Sequence, residues 1–219
     1  MDDSIFKNAT GALPRSDDGQ DLKFEREDWK LFRTVEGLSQ RAGVSPSLLP
    51  RLVLKELADN ALDEPTTTSV EFVETYRGRY VIRDNGAGIP GTPEEIAALF
   101  SVRRPMVSTK YRRLPTRGAL GNGLRVVAGA VLASEGQLIV TTRNRRITLR
   151  PERDGSTSVV GLEQTSEPTT GTSVDIAFGN ALPCDDHVLD WAVTARRLAG
   201  HGSRYTGESS PHWYDRLAA

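Results

Sequence analysis

The stretch between Pro50 and Pro65 constrains the fold most strongly, because its residues suit one helix whose two sides differ in polarity. At about 100° per residue, such a helix carries its polar side chains on one face and its apolar side chains on the other. The apolar side has to pack on another element, and a sheet is suited to this. The polar side consists of Glu56, Asp59, Asn60 and Asp63, and the apolar side of Leu54, Leu57, Ala58, Ala61 and Leu62.

The pattern around this helix predicts the sheet on which it packs. Helical spacing indicates an earlier helix from Asp28 to about Ala42, and Thr92 with Pro93 begins a helix that ends near Phe100. We expect an α+β fold, a two-layer sandwich in which helices cover one face of a mainly antiparallel sheet. The predicted strands cover residues 69–76, 79–84, 137–142, 145–150, 157–163 and 172–178, and a further helix covers 124–133.

Composition and charge exclude several classes of protein. The 28 Lys and Arg nearly balance the 29 Asp and Glu, which argues against a surface that binds polyanions as a whole. The single cysteine, Cys184, cannot form an internal disulfide, and no histidine lies at a metal-ligand spacing with it or with another histidine. No stretch approaches the ~18 apolar residues that cross a bilayer. We expect a cytoplasmic protein with no membrane partner.

We expect three regions along the chain of 219 residues. Residues 1–22 are polar and lack a sustained apolar period, which predicts a flexible N-terminal arm. Residues 23–180 contain the predicted helices and sheet and form the main domain. Residues 181–219 form a helical extension, the start of a further region or a linker.

The polar face of the helix carries side chains that can bind a metal ion and polarise a water molecule. Asn60 presents an amide oxygen, a ligand type that Mg²⁺ accepts. Glu56 lies one turn earlier, where it can polarise a water near the same ion. The alternative is an acidic face that only contacts solvent, as in many amphipathic helices. The loops that follow favour the first interpretation.

Two glycine-rich loops favour a nucleotide ligand. In V-I-R-D-N-G-A-G-I-P, residues 81–90, a strand delivers Asp84 beside two glycines that let the backbone approach a flat ligand. The carboxylate can accept the exocyclic amine of adenine, and Ile89 can form an apolar wall. In T-R-G-A-L-G-N-G-L-R, residues 116–125, the turn runs into a helix whose free N–H groups suit a triphosphate. On each segment alone, an ordinary turn is the alternative.

A basic segment and a late Gly-Thr pair add weaker signals. The segment from about Ser101 to Arg117 is irregular and basic, which suggests a lid, with Lys110 as the residue that faces a ligand. A solvated loop is the alternative for most of its residues. Gly171-Thr172 begins a late strand, and a plain strand start is its alternative.

In this order, E-L-A-D-N-A-L-D (56–63), D-N-G-A-G-I-P (84–90), R-G-A-L-G-N-G-L (117–124) and G-T (171–172) resemble the signature series of the GHKL ATPases. That superfamily includes DNA gyrase B, topoisomerase VI B, MutL, the ninety-kilodalton heat-shock chaperones and the histidine kinases. The resemblance implies the Bergerat fold, a mixed and mostly antiparallel sheet with helices on one face. It also implies ATP held between the helices and a mobile lid.

The resemblance implies a role for each matching residue. Glu56 would be the general base for the attacking water, Asn60 the Mg²⁺ ligand and Asp84 the adenine reader. Thr172 would help Asp84 through its hydroxyl and a bound water. The other predicted ATP-binding positions are Asp59 and Asp63 on the helix, whose duties the sequence does not fix, Gly86, Gly88 and Ile89 at the base, Lys110 in the lid, and Gly118, Gly121, Asn122, Gly123 and Leu124 at the phosphates.

Within the superfamily, the motifs look most like those of topoisomerase VI B and related type II topoisomerase ATPases. We therefore expect ATP to close the lid and a homodimer, and to drive an attached machine that acts on DNA, with a nuclease or topoisomerase subunit as partner. Two alternatives stay open: a histidine-kinase-like domain that passes phosphate to a protein, and a nucleotide-gated binding module with negligible turnover. Glu56 disfavours the kinase, since those kinases generally lack a water-activating carboxylate at this position.

Overall fold

The computed structural model describes residues 27–104, 122–166 and 168–190, and a six-stranded sheet forms its centre. The strands are β1 (Val70–Tyr76), β2 (Arg79–Asp84), β3 (Gln137–Thr142), β4 (Arg145–Pro151), β5 (Thr157–Gln164) and β6 (Thr172–Ala177). They lie side by side in the order β1-β2-β6-β3-β4-β5, and each neighbouring pair is antiparallel. The predicted antiparallel sheet is confirmed.

The α-helices in the described residues are α1 (Val35–Ala42), α2 (Leu49–Asp63), α3 (Pro93–Leu99) and α4 (Gly123–Ser134). α2 packs against β1 and β2, α4 against β3 and β4, and α3 against β5. α1 packs on α4. This arrangement confirms the predicted α+β sandwich. No helix in this part of the chain is long and apolar enough to cross a membrane.

Local sequence sets the two ends of α2. Pro50 lies in the first turn, where its missing N–H has no partner to lose. Glu64 leaves the helix with an extended backbone immediately before Pro65, which disfavours a helical residue ahead of it. Of the apolar side predicted for this helix, Leu54, Leu57 and Ala58 are buried in the core, and Ala61 and Leu62 pack against it partly buried.

The prediction of one helix from Asp28 to about Ala42 is wrong, because the helical conformation is interrupted at Thr34. A short 3-10 helix, Glu27–Arg33, precedes α1. Thr34 has an extended backbone, and its hydroxyl accepts the N–H of Gly37 at 3.1 Å, which caps α1. The spacing of apolar residues does not predict this interruption, because the interruption is stabilised by a hydrogen bond to a polar side chain.

The register of the sheet brings together the ends of three central strands. Arg83 of β2 pairs with Ser173 of β6, and Thr142 of β3 pairs with Thr172 of β6. The last residue of β2, Asp84, therefore lies beside Thr172, and the two are 88 positions apart in the sequence. This meeting point is where the candidate site is built.

Gly171 allows the chain to approach this meeting point closely. Its φ is 72°, a conformation that favours glycine. A Cβ at residue 171 would lie 1.9 Å from the carbonyl oxygen of Asp84, much closer than any contact between unbonded atoms. The Gly-Thr pair is therefore a packing requirement as well as the start of a strand.

The core continues beyond the boundary expected at residue 180. Leu182, Cys184, Val188 and Leu189 are buried in the same cluster as the helices and the sheet. The guanidinium of Arg77 donates to the carbonyl of Cys184, which joins this segment to the β1–β2 hairpin. The predicted arm, residues 1–22, and the rest of the predicted extension lie outside the described residues.

We expect Gly171→Ala to destabilise the fold more than Gly43→Ala does. The φ angles of the two glycines, +72° and +70°, are nearly equal, and this conformation costs an alanine about 1 kcal/mol. A Cβ at residue 43 meets nothing within 4 Å, whereas a Cβ at residue 171 collides with the backbone of Asp84. In urea denaturation, the additional loss in the free energy of unfolding at residue 171 should exceed about 1 kcal/mol. Equal losses in the free energy of unfolding at the two positions would contradict the claim that residue 171 has no space for a side chain.

Candidate functional site

The helices and the sheet enclose a pocket of about 590 Å³, a volume typical of small-molecule sites. Apolar side chains such as Leu57, Ile82 and Phe100 form much of its wall, and a few polar groups interrupt them. The pocket brings together residues from motifs far apart in the sequence. Those predicted from sequence are Asn60, Asp63, Asp84, Gly88, Ile89, Leu124 and Thr172.

The carboxylate of Asp84 is held by two backbone donors. Its Oδ1 accepts the N–H of Gly86 at 2.9 Å and the N–H of Thr172 at 3.2 Å. Burial raises the pKa of this carboxyl, the two N–H groups lower it, and the charge of Glu64 raises it further. The net effect is a raised pKa. Both N–H groups bind Oδ1, so Oδ2 takes no part in these two bonds.

Side chains from other elements fix the loop that follows β2. The amide oxygen of Asn85 accepts the N–H of Thr68 at 2.9 Å, which joins this loop to the segment before β1. The hydroxyl of Thr142 accepts the N–H of Ile89 at 2.9 Å and donates to the carbonyl of Gly171 at 3.3 Å. Thr142 thereby connects the three strand ends at the pocket.

The two glycines of this loop serve the packing of the loop itself. A Cβ at Gly86 would lie 2.6 Å from the hydroxyl oxygen of Thr67, and a Cβ at Gly88 would lie 2.7 Å from that of Thr142. The sequence predicts that these glycines admit a flat ligand. In the structure Gly88 also lines the pocket, while the side-chain position of Gly86 is taken by neighbouring protein atoms.

Asn60 and Glu56 differ in their surroundings. The amide nitrogen of Asn60 donates to the carbonyl of Glu56 at 2.7 Å, so its oxygen is directed away from the helix backbone. Glu56 lies against the first residue of α4, where a Cβ at Gly123 would be 2.5 Å from Oε2 of Glu56. Asn60 lines the pocket, whereas Glu56 lies beside it.

Lys55 connects Glu56 with Asp59. Its ammonium lies 2.8 Å from Oδ2 of Asp59 and 3.6 Å from Oε1 of Glu56. Burial lowers the pKa of Lys55, but the hydrogen bond to Asp59 and the two acidic charges outweigh this, so the pKa is raised. The residues of the polar face of α2 therefore have different surroundings. Asn60 and Asp63 line the pocket, while Asp59 is buried against Lys55.

The start of α4 offers a positive helix end next to these residues. A Cβ at Gly123 would lie 3.2 Å from the amide nitrogen of Asn60, so the helix begins directly beside α2. The free N–H groups of its first turn suit an anion. Asn122 precedes the helix and makes no side-chain cap. The predicted Lys110, Gly118 and Gly121 lie outside the described residues.

Three polar residues of the site were missed or left unassigned in the sequence-based prediction. Glu64 lines the pocket and follows Asn60 by one helical turn, a spacing that would have found it. Arg104 lines the pocket too, but nothing in the basic segment distinguishes it from its neighbours. Thr142 reaches the site only through strand pairing, for which the sequence gives no signal.

A second cavity, of about 500 Å³, lies on the other face of the sheet and shares Asp84 and Thr172 with the first. Charged and hydroxyl side chains dominate its lining, including Glu71, Arg83 and Arg146. An aromatic ligand requires apolar walls as well as polar contacts. The pocket on the helix side is therefore the candidate site.

We expect Asp84→Asn to raise the melting temperature at neutral pH. The pKa of Asp84 is raised in the folded chain, so its stabilising effect is present at low pH and is lost as pH rises through the folded pKa. An amide keeps the oxygen for both backbone donors and does not ionise. Thermal unfolding from pH 7 down to pH 4 should show the advantage of the variant shrinking.

The matched control is Asp175→Asn, which removes a carboxylate that pairs with Arg79 through both oxygens. This variant should melt at a lower temperature than the wild type at neutral pH, since a charged pair is broken. Two results would contradict the claim that burial raises the pKa of Asp84. One is an Asp84→Asn protein that melts below the wild type at neutral pH, and the other is a difference in melting temperature that does not change with pH.

A family model described as "Histidine kinase-, DNA gyrase B-, and HSP90-like ATPase" matches residues 46–180. No curated protein sequence matches the chain. Domains of this family bind ATP, usually with Mg²⁺.

Two solved structures show how far the similarity extends. One is the N-terminal domain of a DNA repair protein, with 21% identity, a TM-score of 0.36, and coverage of 68% of this chain and 38% of that one. The other is the ATPase region of Saccharomyces cerevisiae topoisomerase II, with 13% identity, a TM-score of 0.48, and coverage of 73% and 46%. The chain thus spans less than half of each structure.

The family match and the site coincide. The matched residues include α2, the loop after β2, the start of α4 and the Gly171-Thr172 pair, and they make up more than half of the chain. The resemblance to the GHKL ATPases predicted from the sequence is confirmed. This chain belongs to the family of histidine kinase-, DNA gyrase B- and HSP90-like ATPases.

Proposed function

We propose that the chain binds ATP with Mg²⁺ in the helix-side pocket and hydrolyses the ATP. The observation that carries this proposal is that Asn60, Asp84 and Thr172 line one pocket although their motifs are far apart in the sequence. Glu56 and Asp63 lie at two levels of α2 that are about 10 Å apart along the helix axis. An elongated ligand with a base at one level and phosphates at the other suits this arrangement.

The base would lie at the end of the pocket that contains Asp84. Oδ2 of Asp84 is an acceptor for the exocyclic amine of adenine, because the two backbone donors already bind Oδ1. Ile89 and Val174 supply apolar surface to the same pocket. The half-buried carboxylate of Asp84 would discriminate against a base that presents a carbonyl oxygen there, since two acceptors would then face each other.

The residues at the other end fit Mg²⁺ and phosphate. The hydrogen bond from the amide nitrogen of Asn60 to Glu56 turns the amide oxygen outward, and a hard cation prefers such an oxygen. When bound there, Mg²⁺ would neutralise charge on the phosphate oxygens. The first turn of α4 lies against the same residues and favours an anion.

Glu56 would accept the proton of the water that attacks the terminal phosphorus. Its carboxylate lies beside Gly123, at the end of the pocket where the phosphates are proposed to bind. A carboxylate in this position supports transfer to water, in preference to transfer to a protein side chain. The ammonium of Lys55 lies 3.6 Å from Oε1 of Glu56 and places a positive charge beside the proposed base.

We further propose that ATP closes a lid and a homodimer and drives an attached machine that acts on DNA. The support is the likeness of the motifs to those of topoisomerase VI B. A partner nuclease or topoisomerase subunit would then carry out the reaction on DNA. A rise in molar mass by light scattering, on addition of a non-hydrolysable ATP analogue, is the test of dimer closure.

We expect Glu56→Gln to retain ATP binding and to lose hydrolysis. The amide keeps the size of the side chain but cannot accept a proton from water, so phosphate release should fall by about 100-fold or more. Calorimetry should give an ATP affinity close to that of the wild type. Glu36→Gln, at an exposed carboxylate on α1, is the control and should leave both quantities unchanged. Wild-type turnover in Glu56→Gln would refute the assignment of the base.

A further inference from the structure

Arg104 is the one cation among the described residues that line the helix-side pocket. The other charged groups of that wall are acidic: Asp63, Glu64 and Asp84. One terminal nitrogen of the Arg104 guanidinium donates to the carbonyl of Leu99 at 3.4 Å. A guanidinium has five N–H groups in a planar fork, so this bond leaves most of its donor capacity for a ligand.

The segment that carries Arg104 is anchored beside the start of α4. The buried Nε of Arg125, in the first turn of α4, donates to the carbonyl of Val102 at 2.7 Å. The hydroxyl of Ser101 donates to the carbonyl of Gly155 at 2.6 Å. Arg104 follows Val102 by two residues, so its backbone is held close to the helix end that favours an anion.

The neighbouring Arg103 has different surroundings. Its side chain is exposed, and the guanidinium carbon lies 5.4 Å from the ring centroid of Trp29. Its backbone N–H donates to the carbonyl of Gly155 at 3.0 Å. Two adjacent arginines thus have separate environments, one in the pocket wall and the other against an aromatic ring on the surface.

We infer that Arg104 binds the phosphates of the nucleotide and thereby fixes the direction in which the nucleotide lies in the pocket. This inference rests on the proposed ATP site. The acidic groups Glu64 and Asp84 repel phosphate, whereas Arg104, whose segment is anchored to α4 through Arg125, attracts phosphate together with the start of that helix. A planar guanidinium suits the paired oxygens of a phosphate.

The test compares Arg104→Met with Arg103→Met in binding to ATP and to adenosine, measured by calorimetry. Arg104→Met should weaken ATP binding by about tenfold or more, because a charge-assisted hydrogen bond is lost. It should leave adenosine binding unchanged, since adenosine has no phosphate. Arg103→Met should bind both ligands as the wild type does. Arg104→Lys keeps the charge and should recover part of the ATP affinity.

Three outcomes would overturn the inference. Equal weakening of ATP and adenosine in Arg104→Met would mean that this side chain serves only as a wall of the pocket. Equal weakening of ATP in Arg103→Met would mean that any nearby positive charge suffices. A wild-type chain that binds neither ligand would overturn the proposed function itself, which the other two outcomes leave intact.

Discussion

The hydrogen bonds to the carboxylate of Asp84 are the constraint on which the rest of the site depends. They require the end of β2, the turn at Gly86 and the start of β6 to meet at one point. Gly171 makes this approach sterically possible, and the hydroxyl of Thr142 joins the same point to β3. A carboxylate whose pKa is raised by burial weakens the folded state at neutral pH, and such groups are concentrated at functional sites.

The helix α2 carries the second half of the site, and its polar residues act in different ways. Asn60 turns its amide oxygen outward, while Asp59 is buried against Lys55. Lys55 thereby holds a positive charge near Glu56. The proposed base thus differs from the residues of the pocket wall both in its position and in its charged neighbour. The start of α4 completes this end, because Gly123 lets the two helices approach closely.

The sequence predicts those parts of the fold and site that depend on local pattern. The ends of α2 follow from Pro50 and Pro65, and the strand before Asp84 from its β-branched residues. Contacts between distant segments have no local pattern. The sequence therefore gives no signal for Thr142, which acts through strand pairing, and does not distinguish Arg104 from the adjacent arginines.

The central claim is that an adenine base binds on the helix side of the sheet. Photolabelling with 8-azido-ATP, followed by mass spectrometry of the labelled peptides, tests it directly, with unlabelled ATP as competitor. Competed labelling is expected at residues of the helix-side pocket, such as Leu57 or Ile89. Competed labelling at Thr141 or Arg146, in the cavity on the other face, would contradict it.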